Sequence, residues 1–409
     1  MRLRTPALTL ALVLAAAPLA ATAQDNPTPL QRSIQAFTRA LDAHPGNATL
    51  HYFLALYHAR AQDKAASLAH LDKVLALGEG FLPHDGGGFE FLRKDADFLA
   101  MRAKLADKEK RVDGAAVAFR LDDKGFIPEG IARDPASGDF YVGSIARKSI
   151  ARVGKDGKAH AFSAPEDGLE NVLGLAVDWP RRLLYAVSTN GFVKAGRERP
   201  VNAVLRYDLA TGRRTGEFRV PGALQLNDVA VAPNGEVYAS DSRAGTVYRA
   251  FADGAADKPL VPPGRMRGTN GLAVSGDGRQ LYLAHSMGIA RFDLASGELH
   301  DVPQPPQHNT GTIDGLYWHD GALLGVQNGT NPGRVIRMAL DADGRAIQRI
   351  DVLLTHHHPD VDEPTTGVVA PDGFHVLATT QVRRYNDDGK IDDPATLKAP
   401  TVLRIPLPR

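Results

Sequence analysis

A short apolar pattern recurs six times between Phe126 and Pro371, and it constrains the fold more than any other feature of the chain. The six copies read PEGIARD, VLGLAVD, LNDVAVA, TNGLAVS, IDGLYWH and TTGVVAP, at intervals of roughly 43 to 54 residues. Short strands that repeat at this period with Gly-rich turns are typical of β-propeller blades. The repeat therefore predicts a propeller of six blades.

Two further features that recur in every copy support this count. Each copy is followed by a second strand such as FYVGS, LYAVS or VYASDS, and then by a third strand that contains an arginine near its end. These arginines are Arg152, Arg206, Arg249, Arg291, Arg337 and Arg404. We expect them to pair with neighbouring carboxylates rather than to form a basic patch. The segment that starts at Ala116 should supply the outer strand of the last blade, which closes the ring and hides its sheet edges.

The segment before the propeller has a helical pattern of apolar residues from Leu30 to about Val112. FTRAL at Phe37 and LDKVL at Leu71 have the spacing of a tetratricopeptide pair. So short a stack is not expected to be stable alone, so it should dock on the propeller. A surface for a protein partner is the alternative. The predicted fold is mainly β: a tetratricopeptide-like helical domain at 24–112, whose last helix spans 97–112, and a six-bladed propeller at 113–409.

The first 23 residues have the composition of a secretory signal, with Arg2 and Arg4, an apolar run and small residues before Gln24. The run is too short to span a bilayer, so we expect a periplasmic or secreted protein. Cysteine is absent, which excludes disulfides, thiolate metal sites and a catalytic thiol. Because 48 basic residues face 47 acidic ones, neither nucleic acid nor an anionic membrane is an expected partner.

One column of the repeat carries the chemistry. In a propeller the innermost strands line the central channel, so equivalent positions of all blades meet around the axis. The column contains Glu129, Leu173, Asn227, Asn270, Asp314 and Thr366. Two carboxylates at short range repel each other unless a cation lies between them. An all-oxygen ligand set suits a hard cation, and calcium tolerates irregular geometry better than magnesium. The alternative is that the Asn and Asp residues only bond to nearby main-chain groups, which does not explain Glu129.

The motifs PEGI, LNDVAV, TNGLAV and IDGLYW resemble those of the senescence marker protein (regucalcin) and gluconolactonase family of six-bladed propellers. The resemblance covers roughly residues 114–409 and implies a divalent metal, usually calcium, held by Glu129, Asn270 and Asp314. It also implies that Asn227 contacts substrate or metal. Sugar-lactonase members carry an arginine two residues earlier, where this chain has Gln225. Gln225 and Thr366 are therefore predicted to lie on the substrate side, and a sugar acid lactone is not the expected substrate.

The activity that the resemblance implies is hydrolysis of a lactone or simple ester, with the metal polarising the carbonyl. Asp314 is the predicted base that takes a proton from water. His285, in LYLAHS, is a second candidate base because a histidine titrates near neutral pH, although a histidine that merely bonds within the strand is the alternative.

A different class of function also fits the sequence. An exported propeller could bind a small ligand or a protein without catalysis and use calcium only as a structural brace. The run from His356 to Glu363 contains several metal-ligand residue types, but we expect a solvated connection between the last two blades rather than a zinc site, with a rim of the channel as the alternative.

Overall fold

The computed structural model describes residues 27–84, 87–251 and 258–408 of the chain. The predicted signal segment at 1–23 lies outside these residues. Helices occupy the N-terminal part and strands most of the remainder. In the described ranges, none of the helices combines the length and the apolar character needed to cross a bilayer.

Four α-helices form the N-terminal segment: α1 (Pro29–Ala43), α2 (Ala48–Arg60), α3 (Lys64–Leu77) and α4 (Ala96–Ala106). Each begins after a residue whose side chain accepts a bond from a free main-chain N–H of the first turn, namely Thr28, Asn47, Asp63 and Asp95. Their core is aromatic, with Tyr52, Phe81, Phe89 and Phe98 fully buried.

The last of these helices ends at Ala106, six residues before the predicted end at Val112. The chain leaves the helix there because the residues that follow attach to the propeller. The main-chain N–H of Thr355 donates to the carbonyl oxygen of Val112 at 2.8 Å, and the N–H of Val112 donates to the Thr355 hydroxyl at 3.2 Å.

The strands form six antiparallel sheets, as the repeat predicts. After β1 (Ala116–Arg120), blade one contains β2 (Pro128–Arg133), β3 (Phe140–Ser144), β4 (Ser149–Val153) and β5 (Ala159–Ala161). Blade two contains β6 (Asn171–Asp178), β7 (Leu183–Thr189), the short helix α5 (Lys194–Glu198), β8 (Asn202–Asp208) and β9 (Arg214–Arg219). Blade three contains β10 (Leu226–Val231), β11 (Val237–Asp241) and β12 (Thr246–Ala250).

The second half of the ring repeats the same order. Blade four contains β13 (Leu272–Val274), β14 (Gln280–His285), β15 (Gly288–Asp293) and β16 (Leu299–Asp301). Blade five contains β17 (Ile313–His319), β18 (Ala322–Gln327), β19 (Arg334–Leu340) and β20 (Ile347–Thr355). Blade six contains β21 (Gly367–Ala370), β22 (Gly373–Thr379) and β23 (Thr401–Ile405).

Ring closure occurs where it was predicted. Strand β1 pairs antiparallel with β23, so residues from both ends of the propeller share blade six. The inner strands β2, β6, β10, β13, β17 and β21 contact one another in turn, and β21 returns to β2. A mainly β, six-bladed propeller preceded by a small helical region is thereby confirmed.

The glycines of the repeat allow the inner strands to approach the axis closely. The residue after the key position is glycine in five copies and Asp228 in the sixth. A Cβ atom on Gly130 would lie 1.9 Å from the carbonyl oxygen of Leu173 in the next blade, and one on Gly271 would lie 2.5 Å from that of Asp314. Both distances are prohibitive, so the repeat needs glycine for packing.

The arginines of the third strands lie on the blade surfaces and bond to acceptors on neighbouring strands. Arg152 pairs with Asp139 at 2.8 Å and Arg249 with Glu236 at 3.1 Å. Arg291 instead donates to the side-chain oxygen of Gln280 at 2.8 Å. The prediction of local pairing is confirmed for the carboxylate pairs, and the residues are separated around the ring rather than gathered into one patch.

The helical segment packs on the face of the propeller where the inner strands begin. Its contacts are with the loops of blade five: the N–H of Leu82 donates to the Thr330 carbonyl at 2.9 Å, and that of Glu79 to the Gln307 carbonyl at 2.9 Å. The side chain of Asn309, which is buried, accepts from the Thr49 hydroxyl at 3.2 Å and donates to the Gly80 carbonyl at 3.1 Å. The helices therefore cover part of one channel mouth.

Candidate functional site

The key column lies at the start of each inner strand. Glu129, Asn227 and Asp314 are the second residues of β2, β10 and β17, and Leu173 is the third residue of β6. Asn270 and Thr366 directly precede the glycines that lead into β13 and β21. Because all six inner strands begin at the same face of the propeller, these six positions lie at one level of the channel, close to the face that carries the helices.

Glu129 is a buried carboxylate with one oxygen that accepts no hydrogen bond from the described part of the chain. It is 4% exposed, and its Oε2 atom is buried with no hydrogen-bond partner among the described residues. Burial raises the pKa of Glu129 well above its ordinary value, and the neighbouring charges of Asp314 and Asp228 raise it further. A buried acceptor without a partner is costly, so its retention at this position needs an explanation.

Asp314 is the second carboxylate of the site. Its Oδ1 accepts from the amide nitrogen of Asn270 at 2.7 Å, and its Oδ2 accepts from the amide nitrogen of Asn328 at 2.6 Å. Burial raises the pKa of Asp314 to about 6, and the two amide bonds act in the opposite direction. Asn328 follows β18 and was not among the predicted site residues. The same amide also donates to the Pro364 carbonyl at 2.9 Å, so it ties blade five to blade six.

The two asparagines of the column are oriented by bonds through their nitrogens. Asn270 donates to Asp314, and the amide nitrogen of Asn227 donates to the Ser242 hydroxyl at 2.8 Å. Because each nitrogen is used in this way, each side-chain oxygen is the atom left to coordinate a cation. Together with the carboxylates of Glu129 and Asp314, this gives a donor set of oxygen atoms, which fits a hard cation such as calcium.

Asp228 is a third buried carboxylate that sequence reasoning missed. It stands where five copies of the repeat have glycine, and that departure was the available signal. Its oxygens accept from the N–H groups of Val229 at 2.9 Å and Leu272 at 3.1 Å, so it joins blades three and four. Burial raises the pKa of Asp228 to about 7. It also lines a cavity of about 600 Å³ at the far end of the channel, together with residues such as Trp179.

Three further residues that the sequence analysis named contact other parts of the propeller. The Thr366 hydroxyl donates to the main-chain carbonyl of Glu129, so it fixes the strand that carries the carboxylate. Leu173 is fully buried in the apolar core between blades two and three. The side chain of Gln225 packs against Gly191, and its main-chain N–H donates to Asp241 at 3.1 Å.

His285 lies in the wall of blade four. It is buried, its Nδ1 accepts from the Met287 N–H at 3.4 Å, and the charges that act on it belong to Asp301 and Arg265. Burial lowers the pKa of His285 to about 4, which leaves the ring neutral at pH 7. Asp241, the equivalent residue of blade three, likewise bonds to nearby main-chain groups, because it accepts loop N–H groups at 2.7 and 3.1 Å.

The histidines after β20 pack against the helical segment instead of forming the solvated connection that was expected. His358 is buried, and Nδ1 of His356 lies 3.6 Å from Oε2 of Glu109. Each of Glu109, His356 and His357 offers one ligand atom within 4.8 Å of the others. Glu109 also interacts with the buried guanidinium of Arg334, and a cation here would meet that positive charge.

A family model describes more than half of the chain. It matches residues 127–356 and is named the SMP-30/gluconolactonase/LRE-like region. The chain belongs to this family. The matched range contains the inner-strand residues from Glu129 to Asp314 but neither the helical segment nor most of blade six. A comparison with curated proteins found no match.

The solved structures to which the chain is similar are distant in sequence. A gluconolactonase from Xanthomonas campestris is 21% identical, covers 73% of this chain and 94% of its own, and has a TM-score of 0.45. The PQQ-bound aldose sugar dehydrogenase from Streptomyces coelicolor is 17% identical over 71% of this chain and 98% of its own, with a TM-score of 0.48. At these values neither structure bears on the activity of this chain.

Proposed function

We propose that this protein is an exported, calcium-dependent hydrolase of lactone or ester bonds. The observation that carries the proposal is the pair of buried carboxylates at the axis, one of which has an oxygen without a partner. Glu129, Asn227, Asn270 and Asp314 would hold the ion. When bound, calcium would supply a Lewis acid for the substrate carbonyl and a counter-charge for the oxyanion.

The chain itself supplies the proton transfer. Asp314 takes a proton from the attacking water as the water oxygen bonds to the carbonyl carbon, and it returns that proton to the leaving alkoxide when the carbon–oxygen bond breaks. The products are a carboxylic acid and an alcohol. The bonds from Asn270 and Asn328 keep the Asp314 carboxylate in one orientation, which such transfer requires.

The inner-strand layer also supports this role through its rigidity. The hydroxyls of Thr365 and Thr366 both donate to the main-chain carbonyl of Glu129. Gly130 and Gly271 hold neighbouring strands in contact at the axis. A site built on short strands with locked neighbours keeps reacting groups in place, which accounts for much of enzymatic rate enhancement.

The direct test is a screen of lactones and aryl esters with and without a chelator. The proposal predicts turnover that the chelator abolishes and added calcium restores. It also predicts that Asp314→Ala has no turnover and no calcium binding. Turnover that is unchanged by the chelator or by this substitution would overturn the proposal.

One observation favours a second candidate, a propeller that binds a ligand without catalysis. The helical segment covers part of the face that carries the column, through contacts such as Leu82 to Thr330 and Thr49 to Asn309. A cover of this kind suits a ligand that stays bound. Calcium binding without turnover of any ester in the screen would favour this candidate.

A further inference from the structure

A cavity of about 390 Å³ lies between the helical segment and the rim of blade six. Its walls include His84 from the loop after α3, and Glu363, Gln381, Arg383 and Arg384 from blade six. All of these lie outside the range that the family model matches. Most of the cavity wall therefore comes from this chain's own helical segment and blade-six loops, and Pro332 and His356 of the matched range complete it.

Asn328 lies between Asp314 and His84, which is one of the residues that line the cavity. The Asn328 amide donates to Asp314 at 2.6 Å, and the imidazole of His84 lies near the main-chain carbonyls of Asn328 and Asn331. Across the cavity, the carboxyl of Glu363 is close enough to Asp314 for their charges to interact. A molecule bound at the axis could therefore extend into this space.

One of its polar groups lacks a hydrogen-bond partner among the described residues. The Nε2 atom of His84 is buried and has no hydrogen-bond partner in the described part of the chain. Glu363 adopts a left-handed main-chain conformation with φ of 62°, which is strained for a glutamate. The main-chain N–H of Arg383 donates to Glu363 at 2.9 Å and helps to hold it there.

The acidic and basic residues that line the cavity are equal in number, but one of the two arginines has no acidic partner within the described ranges. Arg383 pairs with Glu363 at 3.1 Å, and Asp362 pairs with Lys398 at 3.0 Å. Arg384 is exposed at the cavity wall and forms no ion pair with any residue that the structure describes. A guanidinium matches the geometry of a carboxylate, so the unpaired Arg384 favours an anionic ligand of that type.

We propose that this cavity is a second subsite for the substrate and that it binds a carboxylate, with Arg384 as the counter-ion and His84 Nε2 as a hydrogen-bond partner. The inference rests on the proposed function in one respect, namely that the same molecule reaches the axial group. The substrate would then be a lactone or ester that carries a carboxylate a few bonds from the reacting carbonyl. The helical segment would act as one wall of the substrate site.

The test compares two ligands that cannot be hydrolysed, cyclopentanone and 3-oxocyclopentanecarboxylate, by calorimetric titration of the calcium-loaded protein. We expect the carboxylate to bind about tenfold more tightly, the size of one charge-assisted contact. Arg384→Ala should remove this preference, and His84→Ala should weaken binding of the carboxylate alone. Arg345→Ala, an exposed arginine on the turn before β20, is the matched control and should keep the preference.

The outcomes separate this proposal from the proposed function. Equal binding of the two ligands, or an unchanged preference in Arg384→Ala, overturns the subsite whether or not esters are hydrolysed. A preference that disappears in Arg384→Ala supports the subsite even if the ester screen finds no turnover. In that case the hydrolase proposal fails and the cavity is a carboxylate-binding site of a ligand-binding propeller.

Discussion

The axial layer and the interface between helices and propeller are built in opposite ways. The axial layer uses one position of a repeat six times, and its members meet because the fold is circular. The interface uses residues that occur once, such as Asn309, whose side chain joins Thr49 and Gly80. The comparison shows that the symmetry of the ring brings the reactive side chains together at the axis. The loops that occur only once determine which molecules can reach those side chains.

The largest expected effect concerns the chemistry of the axial layer. Asp314→Asn keeps the shape of the side chain but removes its charge and its ability to take a proton. We expect the rate of ester hydrolysis to fall at least about a thousandfold, as is typical for loss of a base that also binds the metal. Asp301→Asn, an exposed position on β16, is the control and should retain full activity. Hydrolysis within tenfold of wild type would contradict the role of Asp314.

The next effect concerns the packing of the same layer. Gly130→Ala places a methyl group 1.9 Å from the Leu173 carbonyl oxygen. Since neither strand can withdraw from the ring without loss of other contacts, we expect the free energy of unfolding to fall by about 3 kcal/mol. Gly114→Ala, where a Cβ meets nothing within 4 Å, is the control and should be neutral. Chemical denaturation of both variants gives the answer, and equal stability would show that the axis is loosely packed.

A pH series tests the burial of charge at the axis in the chelator-treated protein. In the unfolded chain the carboxyl of Asp314 loses its proton near pH 4, but burial raises its pKa to about 6 in the fold. The folded state therefore holds more protons between these values, so its stability relative to Asp314→Asn should fall as pH rises from 5 to 8. We expect a change of about 1.4 kcal/mol, because the proton is released over about one pH unit within this range.

Comparison with the variant is essential for this measurement. Burial lowers the pKa of His70 and His356 to about 4, so these groups destabilise the fold as pH falls below about 6.5. Their contribution opposes that of the carboxylates and cancels in the difference between the two proteins. A difference that does not change with pH would mean that Asp314 is solvated.

The smallest expected effect lies at the interface. Asn309→Ala removes four hydrogen bonds of one buried amide, with Thr49, Gly80, Gly311 and Thr330. We expect local opening to become easier by about 1 to 2 kcal/mol, so that trypsin cleaves the helical segment roughly tenfold faster while the propeller stays intact. Asn234→Ala, on an exposed turn of blade three, should leave cleavage of the helices unchanged. Cleavage of both regions together would show that they open as one unit.

The same contrast explains what the sequence allowed us to predict. The six strands, the closure of the ring at Ala116 and the axial column follow from one repeat, since each copy meets the same packing demand. Asp228 could have been found as the copy that lacks glycine. Thr366 was placed in the right layer, but which atom its hydroxyl contacts depends on the neighbouring strand.

The residues that the sequence did not indicate lie in loops from different parts of the chain. Asn328 reaches Asp314 across the blade, and His84 reaches Asn328 from the helical segment. Asn328 stands at the position that Ser242 has in blade three, where the side chain also bonds to the key residue of its own blade, so the repeat carried a signal for it. His84 belongs to no repeated position, so only the packed structure brings it to this place. The end of the last N-terminal helix at Ala106 was missed for the same reason, because the residues beyond it are held by blade five.

Calorimetric titration of calcium into wild-type protein and Glu129→Gln tests the central claim most directly. Glu129 has a buried oxygen without a partner in the described chain, and the substitution removes its charge with little change of shape. The account predicts one ion bound per chain in the wild type and affinity weakened by at least about a hundredfold in the variant. Absence of binding in the wild type, or equal affinity in the two proteins, would contradict it.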